Sequence, residues 1–275
     1  MDAATVVVLI RTYFLLTTAA TVVTYTVPGL NERFLAYGAR NASPSPNKRS
    51  DVDVVEDNRV SSLLDRLASI TVPHSWFKHF YLVGLLLTGY WAYTVPEARN
   101  ASTLLMGCHH VRRLLESLFL TRSSASRMHV THWIMGLGFY VVLSVATWIE
   151  DYATPEQPAR PWNLVGTGLF LAASTAQFSY HKHLAQLPRA PNYQLPTHAY
   201  FNYTVTPHYF LECVEYLALA IRTAREGIFN TTIYCALIFV VVNLGITAQG
   251  TRTWYEKRFG EDRISGKATM VPFIW

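Results

Sequence analysis

The feature that most restricts this chain is an apolar run at its start. From Ala4 to Val27 the only charge is Arg11. The hydrocarbon core of a bilayer takes roughly 20 apolar residues as a helix, and a helix satisfies its own backbone there. The run is longer than the core of a secretory leader, and Met1-Asp2-Ala3 supplies no basic start, so it reads as a first membrane helix. Comparable stretches recur, giving seven candidate helices at about 4–27, 75–95, 102–121, 130–148, 164–182, 206–222 and 228–248. The first, fourth and seventh are the clearest; the third and sixth carry charges that lower their hydropathy. Composition agrees: 51% of residues are hydrophobic and 15% charged, against about 25% charged in soluble domains. The expected fold is an all-α integral membrane protein with six or seven transmembrane helices in a single domain over 1–275.

Between the helices, 28–74 reads as a long polar loop around NASPSPNKRSDVDVVEDNRV, 183–204 as a second loop, and 249–275 as a basic, aromatic tail. Lys and Arg gather on one set of loops: Arg33, Arg40, Lys48, Arg49, Arg59, Arg66, Arg252, Lys257, Arg258, Arg263 and Lys267, against Arg99, Arg160, Arg222 and Arg225 on the other. This bias places the C-terminus in the cytosol and the N-terminus on the far side. The sequons at Asn100 and Asn230 then face the lumen, and those at Asn41 and Asn202 the cytosol. Cys108, Cys213 and Cys235 lie in apolar stretches without a CxxC pair, which argues against a disulfide framework or zinc site. No Lys/Arg stripe with interleaved aromatics points to nucleic acid.

Ionisable residues inside membrane helices cost roughly 2.5–3.5 kcal/mol each on insertion scales, so those present need partners or a ligand. Arg112 and Arg113 point about 100° apart, and Glu116 is within reach of both. They form either an internal ion pair or an anion site, since guanidinium suits phosphate. Gln177 and His181 share a helix face, whereas His181 and His183 do not, and no metal site is expected. Thr206 and Pro207 suit a helix start. Beyond them His208, Glu212 and Tyr216 share a face, as a self-satisfied pair or as the lining of a polar cavity. Asn243 sits in the last helix, and Trp254 and Tyr255 follow at positions suited to an interfacial belt. Together these residues lie near the cytosolic helix ends, as a large anionic cofactor would require.

The joint pattern from about residue 73 to the end resembles the steroid 5α-reductase family. WYEKRFGEDRISGKATMVPFIW is similar to its C-terminal signature, HHVRRLLESLF to its arginine-bearing third helix, and TPHYFLECVEY to its (Asn/His)-x-x-x-Glu helix. VPHSWFKHFY and SRMHVTHWIMGLGFY resemble the polyprenol reductase branch, with a weaker echo in RFLAYGAR. The resemblance implies a reductase of the endoplasmic reticulum membrane that binds NADPH on the cytosolic side. The implied cofactor residues are Arg112, Gln177, His181, Tyr193, His208, Glu212, Asn243 and Tyr255, with Arg113 and Arg252 beside them. The implied catalytic residues are His79 and Tyr81. The sequence departs from the family in three places: Arg252 stands where a His is common, the basic loop is shortened to LPRAPNY, and His181 replaces a carboxylate.

The implied reaction saturates the α-isoprene C=C bond of a long-chain polyprenol-type lipid, giving dolichol-type lipid for protein N-glycosylation. Hydride adds to a carbon polarised by conjugation, so the expected substrate is the enal, polyprenal. The lipid tail is expected to leave along phenylalanines and leucines of the second and fourth helices. Membrane lipids are expected neighbours, with no obligate protein partner. The alternatives are a 3-oxo-Δ4-steroid or enoyl-lipid reductase of the same fold, and a non-catalytic lipid-binding protein.

Overall fold

The computed structural model describes residues 2–35, 58–121, 126–153, 161–188, 191–224 and 227–275. Arg40, Lys48, Arg49, Arg160, Arg225, the sequon at Asn41, and residues 189–190 of the shortened loop lie outside them. In chain order the elements are α1 (Ala3–Thr26), α2 (Pro28–Phe34), α3 (Asn58–Ser69), β1 (Thr71–Pro73), α4 (Lys78–Thr94), α5 (Ala101–Leu115), β2 (Arg127–His129), α6 (Val130–Ala146), α7 (Ile149–Ala153), α8 (Pro161–Gln186), α9 (Pro207–Arg222) and α10 (Thr231–Phe259). All seven expected segments are helical. Among the described residues, three helical stretches are long and apolar enough to cross a membrane: Ala3–Thr26, Val130–Ala153 and Thr231–Phe259.

The local sequence accounts for these helices. Asp2 caps α1 by accepting from the Thr5 N–H at 2.8 Å. Along α1, the hydroxyls of Thr17, Thr18, Thr21, Thr24 and Thr26 return to carbonyls four residues back, which hides their polarity. Asn100 caps α5 and Asn230 caps α10 in the same way as Asp2. Three expected boundaries are corrected. The 183–204 segment does not begin as a loop, because α8 runs on to Gln186. The 28–74 segment is not a loop throughout, because α2, α3 and β1 lie in it; α3 carries Val60, Leu63, Leu64 and Leu67 at helical spacing, which the surrounding polar residues obscure. The last helix does not end near 248 but runs to Phe259, where Gly260 at φ 94° breaks it. Residues 249–259 are therefore helix, and the tail begins at Gly260.

The helices alternate in direction. α1, α5, α8 and α10 finish, and α4, α6 and α9 begin, at one end of the bundle. Strands β1 and β2 pair antiparallel there, Thr71 opposite His129, and join the starts of α4 and α6. Phe139 of α6 binds the core together: its ring stacks on Phe239 at 5.1 Å, meets Phe14 edge-on at 5.6 Å and lies 6.0 Å from Tyr216. α8 lies along α9, and Gly166 permits the approach, since a Cβ there would stand 2.7 Å from the Ala218 carbonyl oxygen.

The tail straps this end. Ala268 and Thr204 form a parallel bridge. The Thr206 hydroxyl donates to the Thr269 carbonyl at 2.8 Å, and the Thr204 hydroxyl to that of Met270 at 3.1 Å. Lys267 Nζ donates to the Phe201 carbonyl at 2.8 Å, and burial holds its ammonium below the usual lysine range.

Candidate active site

At the strapped end, charged residues of three helices converge. α5 widens into a π-helical turn over Glu116–Leu120, a feature that recurs at functional sites. Glu116, at its start, accepts from both arginines of the last α5 turn: from Arg112 Nη1 at 2.8 Å and from Arg113 Nη1. Arg112 Nη2 also donates to Gln177 Oε1 on α8 at 2.6 Å and to Glu215 Oε1 on α9 at 2.9 Å. Gln177 Nε2 passes the chain to Glu212 Oε2 at 2.5 Å and to the His208 carbonyl at 3.0 Å. His109 bridges two carboxylates, with Nδ1 2.5 Å from Glu215 Oε2 and Nε2 3.5 Å from Glu212 Oε1. His181 Nδ1 lies 2.7 Å from Glu116 Oε2 and 2.6 Å from Arg113 Nη1.

The network joins two guanidinium groups to three carboxylates, Glu116, Glu212 and Glu215. The terminal nitrogens of both arginines are occupied by protein oxygens and an imidazole. Of the two readings open for Arg112 and Arg113, the internal ion pair is the arrangement present. Each guanidinium also lines open space, Arg112 beside α4 and α5 and Arg113 beside Tyr81. Breaking a buried pair of this kind costs about 3–5 kcal/mol, because the surviving partner is stranded.

One arm of the network reaches a cavity. Arg113 Nη2 donates to the Tyr81 hydroxyl at 2.8 Å, and its guanidinium lies 5.0 Å from the centre of the Tyr81 ring. The cavity has a volume of about 190 Å³. Its polar wall comes from Tyr81, Arg113, Gln177, His181, Glu212 and Asn243, and its apolar wall from Phe80, Met135, Phe139, Phe239, Val240 and Leu244. His74 and Met128, carried by the β1–β2 end, also line it.

The sequence-nominated residues fall into four groups. Tyr81, Arg113, Gln177, His181, Glu212 and Asn243 line the cavity. Arg112 and His208 stand behind them; the His208 ring is 5.5 Å from that of His181, and its Nδ1 is buried without a hydrogen-bond partner among the described residues. His79 does not join the lining: its ring packs 5.3 Å from Trp76 and 6.1 Å from Trp133. Tyr193, Arg252 and Tyr255 gather around the end of α10. Tyr193 meets Trp254 edge-on at 5.1 Å with the Arg258 guanidinium 5.4 Å from its ring centre, and Tyr255 lies 5.7 Å from Phe259. Arg252 grips the strap, donating to the Lys267 carbonyl at 2.5 Å, and is braced by Glu256 at 2.8 Å.

Site residues that the sequence does not single out are His109, Glu215 and Tyr140, whereas Glu116 pairs with both arginines and Tyr216 lines the cavity, where their spacing puts them. Glu215 carried a signal, one turn from Glu212. Tyr140, which meets Tyr81 edge-on at 5.6 Å, had none beyond being an aromatic in an apolar run.

Comparison with known proteins places this chain in a family. A family profile described as 3-oxo-5-alpha-steroid 4-dehydrogenase matches residues 126–275, more than half of the chain. This chain belongs to the steroid 5α-reductase family. The matched part runs from just before β2 to the end of the strap and so contains Gln177, His181, His208, Glu212 and Asn243. Within the family, the chain is 30% identical to a polyprenal reductase of Saccharomyces cerevisiae, over 80% of this chain and 81% of that one. It is 26% identical to a polyprenal reductase of Caenorhabditis elegans, over 81% and 84%. A polyprenal reductase of Xenopus tropicalis is 25% identical, over 74% and 80%.

Proposed function

We propose that this protein reduces the α-isoprene C=C bond of a polyprenol-type lipid, presented as its enal, with NADPH as the reductant. The relatives named polyprenal reductase support the substrate class. The observation that carries the reading is the amphipathic cavity in which the Tyr81 hydroxyl is held by Arg113.

The chemistry asks for such a group. In an enal the β-carbon is electrophilic because the carbonyl withdraws charge, and during reduction negative charge gathers on the carbonyl oxygen. A plain allylic alcohol offers no comparable sink. Tyr81 accepts from Arg113, so its own O–H remains free to donate to the substrate oxygen, and the guanidinium behind it steadies the growing charge. The donor role falls on Tyr81 rather than His79, which faces Trp76 and Trp133. Phe80, Met135, Phe139 and Leu244 would hold the first isoprene units. Phe80 and Phe139 stand on α4 and α6, the helices expected to guide the tail.

The residues fit a nicotinamide cofactor. The buried, unpartnered Nδ1 of His208 offers a polar contact beside Gln177, Glu212 and Asn243. A volume of about 190 Å³ is below the roughly 300–1,000 Å³ of ligand pockets, so it takes only the reacting ends. Tyr193, Tyr255 and Arg258 would hold the phosphate-bearing part, while Arg112 and Arg113 serve the network. Bound there, the cofactor supplies the hydride.

In this reading the chain is one domain with seven membrane spans, in the endoplasmic reticulum membrane. The site end faces the cytosol, and the product enters dolichol-type lipid for N-glycosylation. The test gives purified protein NADPH with polyprenal, polyprenol or a Δ4-3-ketosteroid. Saturation of polyprenal alone is expected. Rapid reduction of the alcohol without an aldehyde would overturn the enal, and preference for the ketosteroid would move the substrate class.

A further inference from the structure

Helix α3 carries an apolar stripe that no described residue covers. Val60, Leu63 and Leu67 follow one another at three and four residues and are 55%, 58% and 41% exposed; Ile70, just past the helix, is 51% exposed. At 100° per residue, Ser61, Leu64, Asp65 and Ala68 form the adjoining face. That face turns toward the protein, where Arg33 of α2 donates to Asp65 Oδ1 at 2.6 Å and to Ser61 Oγ at 2.9 Å. Arg59 and Arg66, seven residues apart, fall together on the other flank of the stripe, and Ser62 and Ser69 point away from it.

The position of α3 says what meets the stripe. Arg33 belongs to α2, which follows α1 directly. At the other end of α3, the Ile70 carbonyl accepts from the Val130 N–H, the first residue of α6, at 3.0 Å. α3 is thus tied where α1 ends and α6 begins, two of the stretches apolar enough to cross a bilayer, and it lies at the level where they leave it.

We propose that α3 lies in the membrane interface, with Val60, Leu63, Leu67 and Ile70 in the acyl boundary and Arg59 and Arg66 at the level of anionic headgroups. A helix with an apolar face and flanking arginines has the chemistry of an in-plane anchor, and basic residues at that depth are drawn to anionic lipid. The 12 described residues of α3 carry Arg59, Asp65 and Arg66 and do not meet the length and composition of a membrane span. Ile70 leads into β1, and the β1–β2 end brings His74 and Met128 to the cavity, so the same lipid surface supports the cavity's cap.

The test uses the full chain in phosphatidylcholine vesicles with and without phosphatidylserine. Nitroxide labels are placed at Val60→Cys, Leu63→Cys and Leu67→Cys, with Ser62→Cys and Ser69→Cys as controls, all in a Cys108→Ala background because Cys108 is exposed. The ratio of collisions with oxygen to collisions with a water-soluble nickel chelate is expected to be several-fold higher on the stripe than on the controls. Equal nickel access on both faces would overturn the proposal, as would stripe labels shielded from both quenchers, which would mean that protein covers them. Reversing Arg59→Glu and Arg66→Glu together is expected to make the stripe labels shallower in phosphatidylserine vesicles and to leave them unchanged in phosphatidylcholine. No change in either would remove the headgroup role of the arginines. None of these readings depends on enzymatic activity, so they stand apart from the proposed reaction.

Discussion

The two ends of the helical bundle both hold paired charge, but they use it differently. At the end far from the site, Arg11 of α1 donates to Glu150 of α7 at 2.9 Å and to the Thr232 hydroxyl at 2.9 Å, while Thr232 turns its own hydroxyl and N–H to the same carboxylate. Beside it Asn100, the α5 cap, donates to Asp151 at 2.9 Å. These groups tie α1, α7 and α10 together and none of them lines the cavity beside Tyr81. At the site end, two guanidinium groups, three carboxylates and Gln177 form one network across α5, α8 and α9, which opens through Arg113 and Tyr81 onto that cavity. A charge inside a membrane helix therefore announces a partner. It announces a site only where the partnered group also faces space for a ligand.

The sharpest way to break this contrast is to remove Glu116, on which both arginines converge. Glu116→Ala should cost about 3–5 kcal/mol of stability, since two buried cations lose a partner; an unchanged unfolding midpoint in detergent would show that the network is not a unit. Tyr81→Phe tests the catalytic half. It should lower kcat by about 10²–10³, the usual effect of deleting one donor to a developing oxyanion, with the protein still folded by size-exclusion chromatography. Activity near that of the parent would remove Tyr81 from the reaction.

Arg11→Ala addresses the other end. It removes hydrogen bonds to a charged group, worth about 1.5–3 kcal/mol, and should lower thermal stability while the KM for lipid and the turnover per folded molecule stay put. A change in KM would mean that the far end communicates with the site, and the comparison would fail. The smallest effect is expected from Asn100→Ala, about 1 kcal/mol for a lost cap. Because Asn100 and the buried Asn230 already spend their amides on Asp151 and Thr223, neither sequon should carry a glycan. Glycosidase digestion followed by mass measurement checks this.

Much of the fold was legible in the sequence because membrane helices are written in single-residue hydropathy. The segments at 4–27, 130–148 and 228–248 coincide, but for a residue or a few at their ends, with helical stretches that meet the length and composition of membrane spans. α3 escaped notice because its four apolar residues are diluted by serines and charges, and its meaning lies in spacing rather than in mean hydropathy. The end of α10 is illegible for a related reason: TRTWYEKRF is polar enough to leave a bilayer, yet nothing in it stops a helix before Gly260.

At the site, residue identity is enough to pick out the cast. Arg112, Arg113, Gln177, His181, His208 and Glu212 stand out because such groups are costly in apolar helices, and helical spacing shows which of them share a face. Their partners follow from how the helices pack. Contacts such as Arg112 to Glu215 and Arg113 to Tyr81 join residues 103 and 32 positions apart, and no local periodicity encodes which helix packs on which. For the same reason Tyr81 faces the cavity while His79, two residues earlier on the same helix, turns to Trp76 and Trp133. The identity of a residue gives its chemistry, but the packing of neighbouring helices sets where that chemistry points.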